Sequence, residues 1–475
     1  MNRPIQGANL NGDETNRSEN APAPALHRNV ERLLAGAIAP TLARLAAPNM
    51  IGFLVGSGVM VAEMWFVGQL GTPALAGLAL GYPLYMLMMM LSAGALGGAM
   101  AAAVARAVGS GQTSKAEDLA WHAIVIAVGA AALFTGAYLL FGPAFYVLLG
   151  GTGDSLAAAI AYSNVILVGG AAIWLTNTLS SILRGGGDMK TPALAMLGAA
   201  ALQIPLGGAL ALGWGPFPNL GIAGVAWAAL IAFGASALFL ATRLISGRSG
   251  LRLHLVPPAL RWGLFREILA VGGVASLSPI LTVATVILLT GLVARFGEEA
   301  LAGLAIASRL EFLLIPIVFG IGAAMIAMVG ANIGAGNLDR AHRIGWTGGL
   351  AAAAIAGAIG TATALWPDAW ASLFTEAEPV RLAATLYLAI VGPFYAFHGL
   401  GLSLYFASQG AGTVVWPVVF TAVRLVITAG GGYVAVEILG FGFEALPVIV
   451  AASMVVLGLG NAAALYAGAW RRANP

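Results

Sequence analysis

The fold class this 475-residue chain predicts is an all-α polytopic membrane protein, with about twelve transmembrane helices in two pseudo-symmetric six-helix lobes. Three observations predict it: a composition unsuited to water, a series of apolar runs of spanning length, and a repeat of the first half of the chain in the second.

Hydrophobic residues make up 60% of the chain and charged residues 9%, and the mean hydropathy is +0.91. Ordinary soluble domains carry roughly a quarter charged residues, so the main solvent of this chain is lipid. There is no cysteine, which removes disulfides, thiolate metal sites and thiol nucleophiles and leaves the redox compartment unread. The net charge is +3 and the pI of about 9.3 reflects scattered arginines rather than a basic stripe, so no nucleic-acid partner is expected. Residues 1–35 are for the most part polar and rich in Asn and Pro, with no apolar core that a signal peptidase could follow; they read as a disordered cytosolic tail.

A spanning helix needs roughly 20 mostly apolar residues. About twelve such runs lie near 45–69, 76–107, 119–142, 156–183, 191–213, 221–245, 262–294, 300–333, 343–366, 381–409, 414–437 and 445–469, separated by turn-rich strings such as "GTP" at 71–73, "GSGQTSK" at 109–115 and "RGGGDMK" at 184–190. With the N-terminus inside, eighteen Lys and Arg residues fall on the cytosolic segments, and the opposite loops hold two, Arg295 and Arg381. Lys/Arg-rich loops are cytosolic, so both termini are expected in the cytosol.

The repeat is carried by "ALAGLA" at 74–79 and again at 300–305, by Gly109-Ser110-Gly111 against Gly334-Ala335-Gly336, by Lys115-Ala116 against Arg340-Ala341, and by "GGGDMKTP" at 185–192 against "GAGTVVWP" at 410–417. Six spans return the chain to its starting side, so the two halves are related by an axis along the membrane normal. The expected division is an N-lobe over 36–246, a cytosolic linker over 247–260 and a C-lobe over 261–475. Two equivalent lobes flanking a site are transporter architecture.

Several stretches resemble one family. "LAAPNMIGFLVGSGVMVAEMWFVGQLGTPALAGLAL", "ARAVGSGQTSKAEDL", "LSSILRGGGDMKTP" and "NLGIAGVAWA" in the first half, with "RFGEEALAGLAIASRLE", "VGANIGAGNLDRA" and "LYFASQGAG" in the second, resemble the multidrug and toxic compound extrusion (MATE) family over nearly the whole chain after residue 35. The resemblance implies a V-shaped pair of lobes that exports organic cations in exchange for H+ or Na+. It also implies that Glu63 matches the Asp usual on the family's first span. One branch adds an Asp on the fifth span; here its match is Gly207, and the match of its neighbouring Asn is Gln203. Another branch places acids on spans seven and ten, where this chain has none over 270–294 and offers His398 on the tenth.

Of nineteen acids, only Glu63 and Glu311 fall well inside predicted spans. An intramembrane carboxylate usually faces a cavity or a partner. Glu63 lies about five residues before the outer end of its span, roughly 8–12 Å deep. There, an ionised carboxylate could hold a cationic drug until an arriving proton displaces it, so that one site serves two competing ligands. The bland alternative is snorkelling or capping. Glu311 is expected near the bilayer midplane, paired with Arg424 as packing or as a coupling element; Arg309, two positions away, lies about 200° around the helix and cannot face it. Histidine titrates near neutral pH, so His398 could relay protons, although a single helix histidine is more often a packing residue. Trp65, Tyr85 and Met86, with Met88, Met89 and Met90, could line an adaptable cavity, and Asn164, Asn177, Gln203 and Thr428 could line it or bridge helices.

"RGGGDMKT" lacks the spacing of a phosphate loop, and the five histidines offer no metal pair. The expected partners are small organic cations and the lipid bilayer; the coupling ion is H+ or Na+, with no other cofactor and no bound metal. A monomer in a bacterial inner membrane is expected. The competing readings are a flippase for lipid-linked precursors, which would need a basic cavity lining, and a membrane-embedded enzyme, which would need a cluster of acids or histidines near an interface.

Overall fold

The computed structural model describes residues 24–472, and all regular elements among them are helical. A short helix α1 (Pro24–Ala35) precedes α2 (Ile38–Gln69), α3 (Thr72–Gly109), α4 (Thr113–Leu148), α5 (Gly153–Ile166), α6 (Ala171–Gly185), α7 (Lys190–Leu212) and α8 (Ile222–Ile245). The second half supplies α9 (Trp262–Phe296), α10 (Glu298–Gly334), α11 (Leu338–Leu365), the short α12 (Pro367–Ala371), α13 (Glu378–Ala411), α14 (Val415–Ile438) and α15 (Ala445–Tyr466). Eleven of these are long and apolar enough to cross a bilayer, and α5 with α6 is long and apolar enough for a twelfth when the bent pair is taken as one span.

That twelfth crossing differs from the straight run expected over 156–183, because α5 and α6 meet at 50°. The break holds Gly169 and Gly170, a glycine pair of the kind that kinks helices. The carbonyl of Leu167 accepts from Gly170 N at 3.3 Å within the turn and from Thr135 Oγ1 on α4 at 2.8 Å, so the bend leaves that backbone group satisfied. In α3, a π-helical turn over Met90–Leu96 widens the helix where it borders the space between the lobes. Single wide turns of this kind often mark functional positions.

The disordered tail expected to residue 35 is corrected by α1; residues 1–23 of it lie outside the described residues. α1 is amphipathic and buries Leu26 and Leu33. It is tied to the second half by Asn332 Nδ2 donating to Leu33 O at 3.0 Å and by Arg340 donating to Gly36 O. On its other side it presses on Gly250, where a Cβ would sit 2.7 Å from Leu26 N and where φ is +99°. Glycine is the residue that tolerates both conditions. The linker over 247–260 runs without helix along α4: Arg252 N donates to Glu117 Oε1 at 3.0 Å, and Trp121 Nε1 donates to His254 O at 3.0 Å. At its end, Arg261 N donates to His122 Nε2 at 2.9 Å.

Each half builds its own core, but two helices cross between them. Leu42, Leu45 and Ala46 of α2 are buried in the core of the second half, and Ile268, Val271 and Ala275 of α9 in the core of the first. The crossing depends on close approach: a Cβ on Gly320 of α10 would meet Met50 N of α2 at 2.8 Å, and one on Gly272 of α9 would meet Leu96 Cδ2 of α3 at 2.8 Å. The polar contacts between halves gather at the same end as α1. Arg106 Nη1 donates to Gly410 O at 3.3 Å, and Glu267 pairs with Lys115 at 2.9 Å and with Arg106 at 3.7 Å. The lobes are thus fastened at the α1 end, and the space between them lies above that fastening.

Candidate binding cavity

A cavity of about 280 Å³ lies chiefly within the first half, where it borders α10 of the second. Its walls come from α2, α3, α6, α7 and α8 of the first half, and α10 contributes Ile315, Pro316 and Phe319. The lining is mostly apolar, with Met60, Met86, Met89, Met90 and Met196 on three helices. Methionine is flexible and polarisable, so such a wall can repack around guests of different shape. Its α1-end floor is aromatic: Phe53 and Phe319 meet edge to face at 5.9 Å, and Phe319 meets Phe406 at 4.7 Å.

Glu63 is on the wall and is the one acid in the lining among the described residues. It lies six positions before Gln69, the last residue of α2, about 9 Å along the helix. Its Oε1 accepts a 2.6 Å hydrogen bond from Gln203 Nε2 of α7. A neutral amide donor holds the carboxylate in place while leaving its charge uncompensated. Tyr82 and Tyr85 of α3 line the same wall, and the Tyr82 hydroxyl points to Met60 Sδ at 3.9 Å. Asn177 of α6 also lines the cavity and donates to Ser92 Oγ at 2.8 Å.

Of the residues singled out from sequence, Glu63, Gln203, Tyr85, Met86 and Asn177 therefore come together. Trp65 does not. It is 57% exposed and packs edge to face on Phe66 at 5.4 Å, because two residues along a helix turn it about 200° away from Glu63. Met88 is fully buried in the helix packing rather than in the cavity wall. Asn164 bridges helices, accepting from Tyr138 at 2.8 Å.

Glu311, His398 and Arg424 are outside the lining. The expected Glu311–Arg424 ion pair is not made within 4 Å among the described residues; instead the Tyr395 hydroxyl donates to Glu311 Oε1 at 3.3 Å. α10 breaks at Arg309-Leu310, so Glu311 starts a new helical segment and its direction is not that of one straight helix. Arg424 still lies within electrostatic range of Glu311, but its Nε is buried without a hydrogen-bond partner. The same holds for Nδ1 of His398. Arg309 is exposed and lies over the Phe374 ring at 4.9 Å, so it does not contribute a buried charge.

The sequence reading missed a buried arginine that does line the cavity. Arg184 opens the turn-rich string "RGGGDMK", yet it belongs to the last turn of α6 and is 7% exposed. The signal was present: Asn177, Ser180, Ser181 and Arg184 follow the i, i+3, i+4, i+7 pattern of one helix face.

The MatE family profile matches residues 48–208 and 275–434, one stretch in each half. The chain is 26% identical over 390 residues to the "Probable multidrug resistance protein NorM" of Thermotoga maritima, covering 81% of this chain and 82% of that one. It is also 26% identical over 317 residues to the "FAD transporter" of Shewanella oneidensis, covering 66% and 69%. Among solved structures, a MOP superfamily transporter from Pyrococcus furiosus superposes with a TM-score of 0.85 at 25% identity, covering 94% of this chain and 99% of that one. An outward-facing multidrug resistance MATE family transporter gives 0.84 at 25% identity, with coverage of 94% and 99%.

Proposed function

Since this chain belongs to the multidrug and toxic compound extrusion (MatE) family and is a multi-pass membrane transporter rather than an enzyme, we propose that it is a secondary antiporter. It exports organic cations in exchange for protons, with Glu63 as the coupling site. The observation that carries this reading is the position of Glu63, the one acid among the described residues on the wall of a mostly apolar, methionine-rich cavity of the first half, held at 2.6 Å by an uncharged amide.

An ionised carboxylate there needs a counter-charge, because water is scarce and the surroundings are of low dielectric. A cationic guest supplies one by lying against Glu63, with its apolar body on the methionines and tyrosines. A proton supplies the other. The two ligands exclude each other at one oxygen pair, and this exclusion is the requirement for exchange. Gln203 keeps the carboxylate facing the cavity in both states.

The excess of Lys and Arg on the segments at the α1 end supports putting that end and both termini in the cytosol. The cavity then lies in the outer half of the bilayer, where an external proton can reach Glu63. A bacterial inner membrane and a monomer complete the reading. A lipid-linked pyrophosphate would need several basic groups, and the lining holds a single arginine among the described residues.

The test is uptake of a fluorescent cation into everted membrane vesicles, with pH and Na+ gradients imposed separately. An acid lumen is expected to drive accumulation and a Na+ gradient is not. Accumulation driven by Na+ alone would replace the proton in this scheme, and no response to either gradient would reject antiport.

A further inference from the structure

The cavity has a second pole. α6 sets Asn177, Ser180 and Arg184 along its wall, and the Arg184 guanidinium rests over the Phe53 ring at 5.3 Å, at the aromatic floor. Phe53 is ten residues before Glu63 on α2, so the two charges stand on the order of 15 Å apart at 1.5 Å per residue. Arg184 has no carboxylate within 4 Å among the described residues. Its Nε donates to Asn49 Oδ1 at 3.1 Å, and Nη2 points to the Met196 sulfur at 3.8 Å. A guanidinium carries five donors in a planar fork. Here only Nε has an oxygen partner, and the outer edge of the fork is left to the cavity.

A buried cation without a counter-charge is costly, and removing the partner of a buried pair is among the most destabilising changes known. The protein gives Arg184 no carboxylate, only the Asn49 amide oxygen, the Phe53 ring and the C-terminal end of α6, while the cavity is large enough to admit a guest. We propose that Arg184 is a specificity-determining residue that receives an anionic group of the substrate, a carboxylate or a phosphate, so that the favoured cargo is an elongated amphiphile with a cation at one end and an acid at the other. The cation lies at Glu63, the acid at Arg184 through two parallel N–H···O bonds, and the apolar body spans the methionines between them. Charge-assisted fork contacts of this kind are the strong ones. Ser180, one turn before Arg184 on the same face, adds a hydroxyl beside the acid. This inference rests on the export reading above, which assigned only the cationic end of the cargo.

The probe is a pair of dyes sharing one cationic chromophore, one a free carboxylic acid and the other its ester. Export of both is measured in everted vesicles with wild type, Arg184→Gln and Arg184→Lys. The acid-to-ester ratio is expected to fall at least tenfold in Arg184→Gln and by about threefold in Arg184→Lys, which keeps the charge and loses the fork. A ratio within twofold of wild type in both variants, with the two dyes falling together, would assign Arg184 to packing and overturn the proposal. Should Arg184→Gln fail to accumulate, affinities of purified wild type decide: the acid is expected to bind at least tenfold more tightly than the ester, and equal binding would overturn the proposal. The binding measurement needs no gradient. A failure of ion coupling with the affinity difference intact therefore rejects the antiport reading and leaves this one standing.

Discussion

Each half of the molecule carries one partly buried acid well inside a transmembrane helix, and the two acids have different surroundings. Glu63 faces the cavity of the first half and is held by the amide of Gln203. Glu311 is turned into its own lobe and accepts from a phenol, Tyr395, within electrostatic range of Arg424. The repeat offers neither acid a twin: Glu63 aligns with Leu289 and Glu311 with Tyr85. The duplication thus copied the helices and their crossings, while the chemistry diverged lobe by lobe. A carboxylate that can exchange ligands needs an open face and an uncharged tether. One enclosed by a phenol and a cation is suited to holding helices together.

The contrast can be broken or sharpened by substitution, and the largest effect is expected at the first site. Glu63→Gln should lower gradient-driven export at least about a hundredfold with the protein level unchanged, whereas Glu63→Asp should retain much of it; vesicle uptake normalised to protein measures both. Gln203→Leu should come next. It removes the donor and leaves the carboxylate facing apolar surface, a loss of about 1–3 kcal/mol for a hydrogen bond to a charged group, read as roughly a tenfold drop in export. Glu311→Gln should leave export within about threefold while lowering the thermal midpoint of the purified protein by a few degrees. Loss of export there would make the second acid a coupling group as well and erase the distinction drawn between the lobes. Tyr395→Phe should be the smallest, about 0.5–1.5 kcal/mol of stability with export unchanged, checked by melting in detergent.

Much of this could be read from the chain. Hydropathy and the repeat strings give the helices and their pairing, because a bilayer demands long apolar runs whatever their packing. Glu63 stood out since an acid in such a run is rare, and Gln203 through its match to a family position. What escaped were features that depend on how helices turn against each other. Arg184 looked like a loop residue because its neighbours Gly185, Gly186 and Gly187 signal a turn, yet α6 continues through it and its side chain reaches back to Phe53. Trp65 looked like lining by proximity in sequence and was carried to the other face by two residues of rotation. Glu311 and Arg424 have matching depth, but the break at Arg309-Leu310 redirects the acid. The tail was read from composition, which does not register that Leu26 and Leu33 fall on one face of α1.

The central claim is that a proton and a cationic substrate compete for one carboxylate. The most direct measurement adds a membrane-impermeant-buffer-free substrate solution to purified protein in weakly buffered detergent and follows released protons with a pH dye. Wild type should release up to about one proton per bound cation, more at acidic than at alkaline starting pH, and Glu63→Gln should release none. Undiminished release from Glu63→Gln would contradict the account and move the coupling site elsewhere in the molecule.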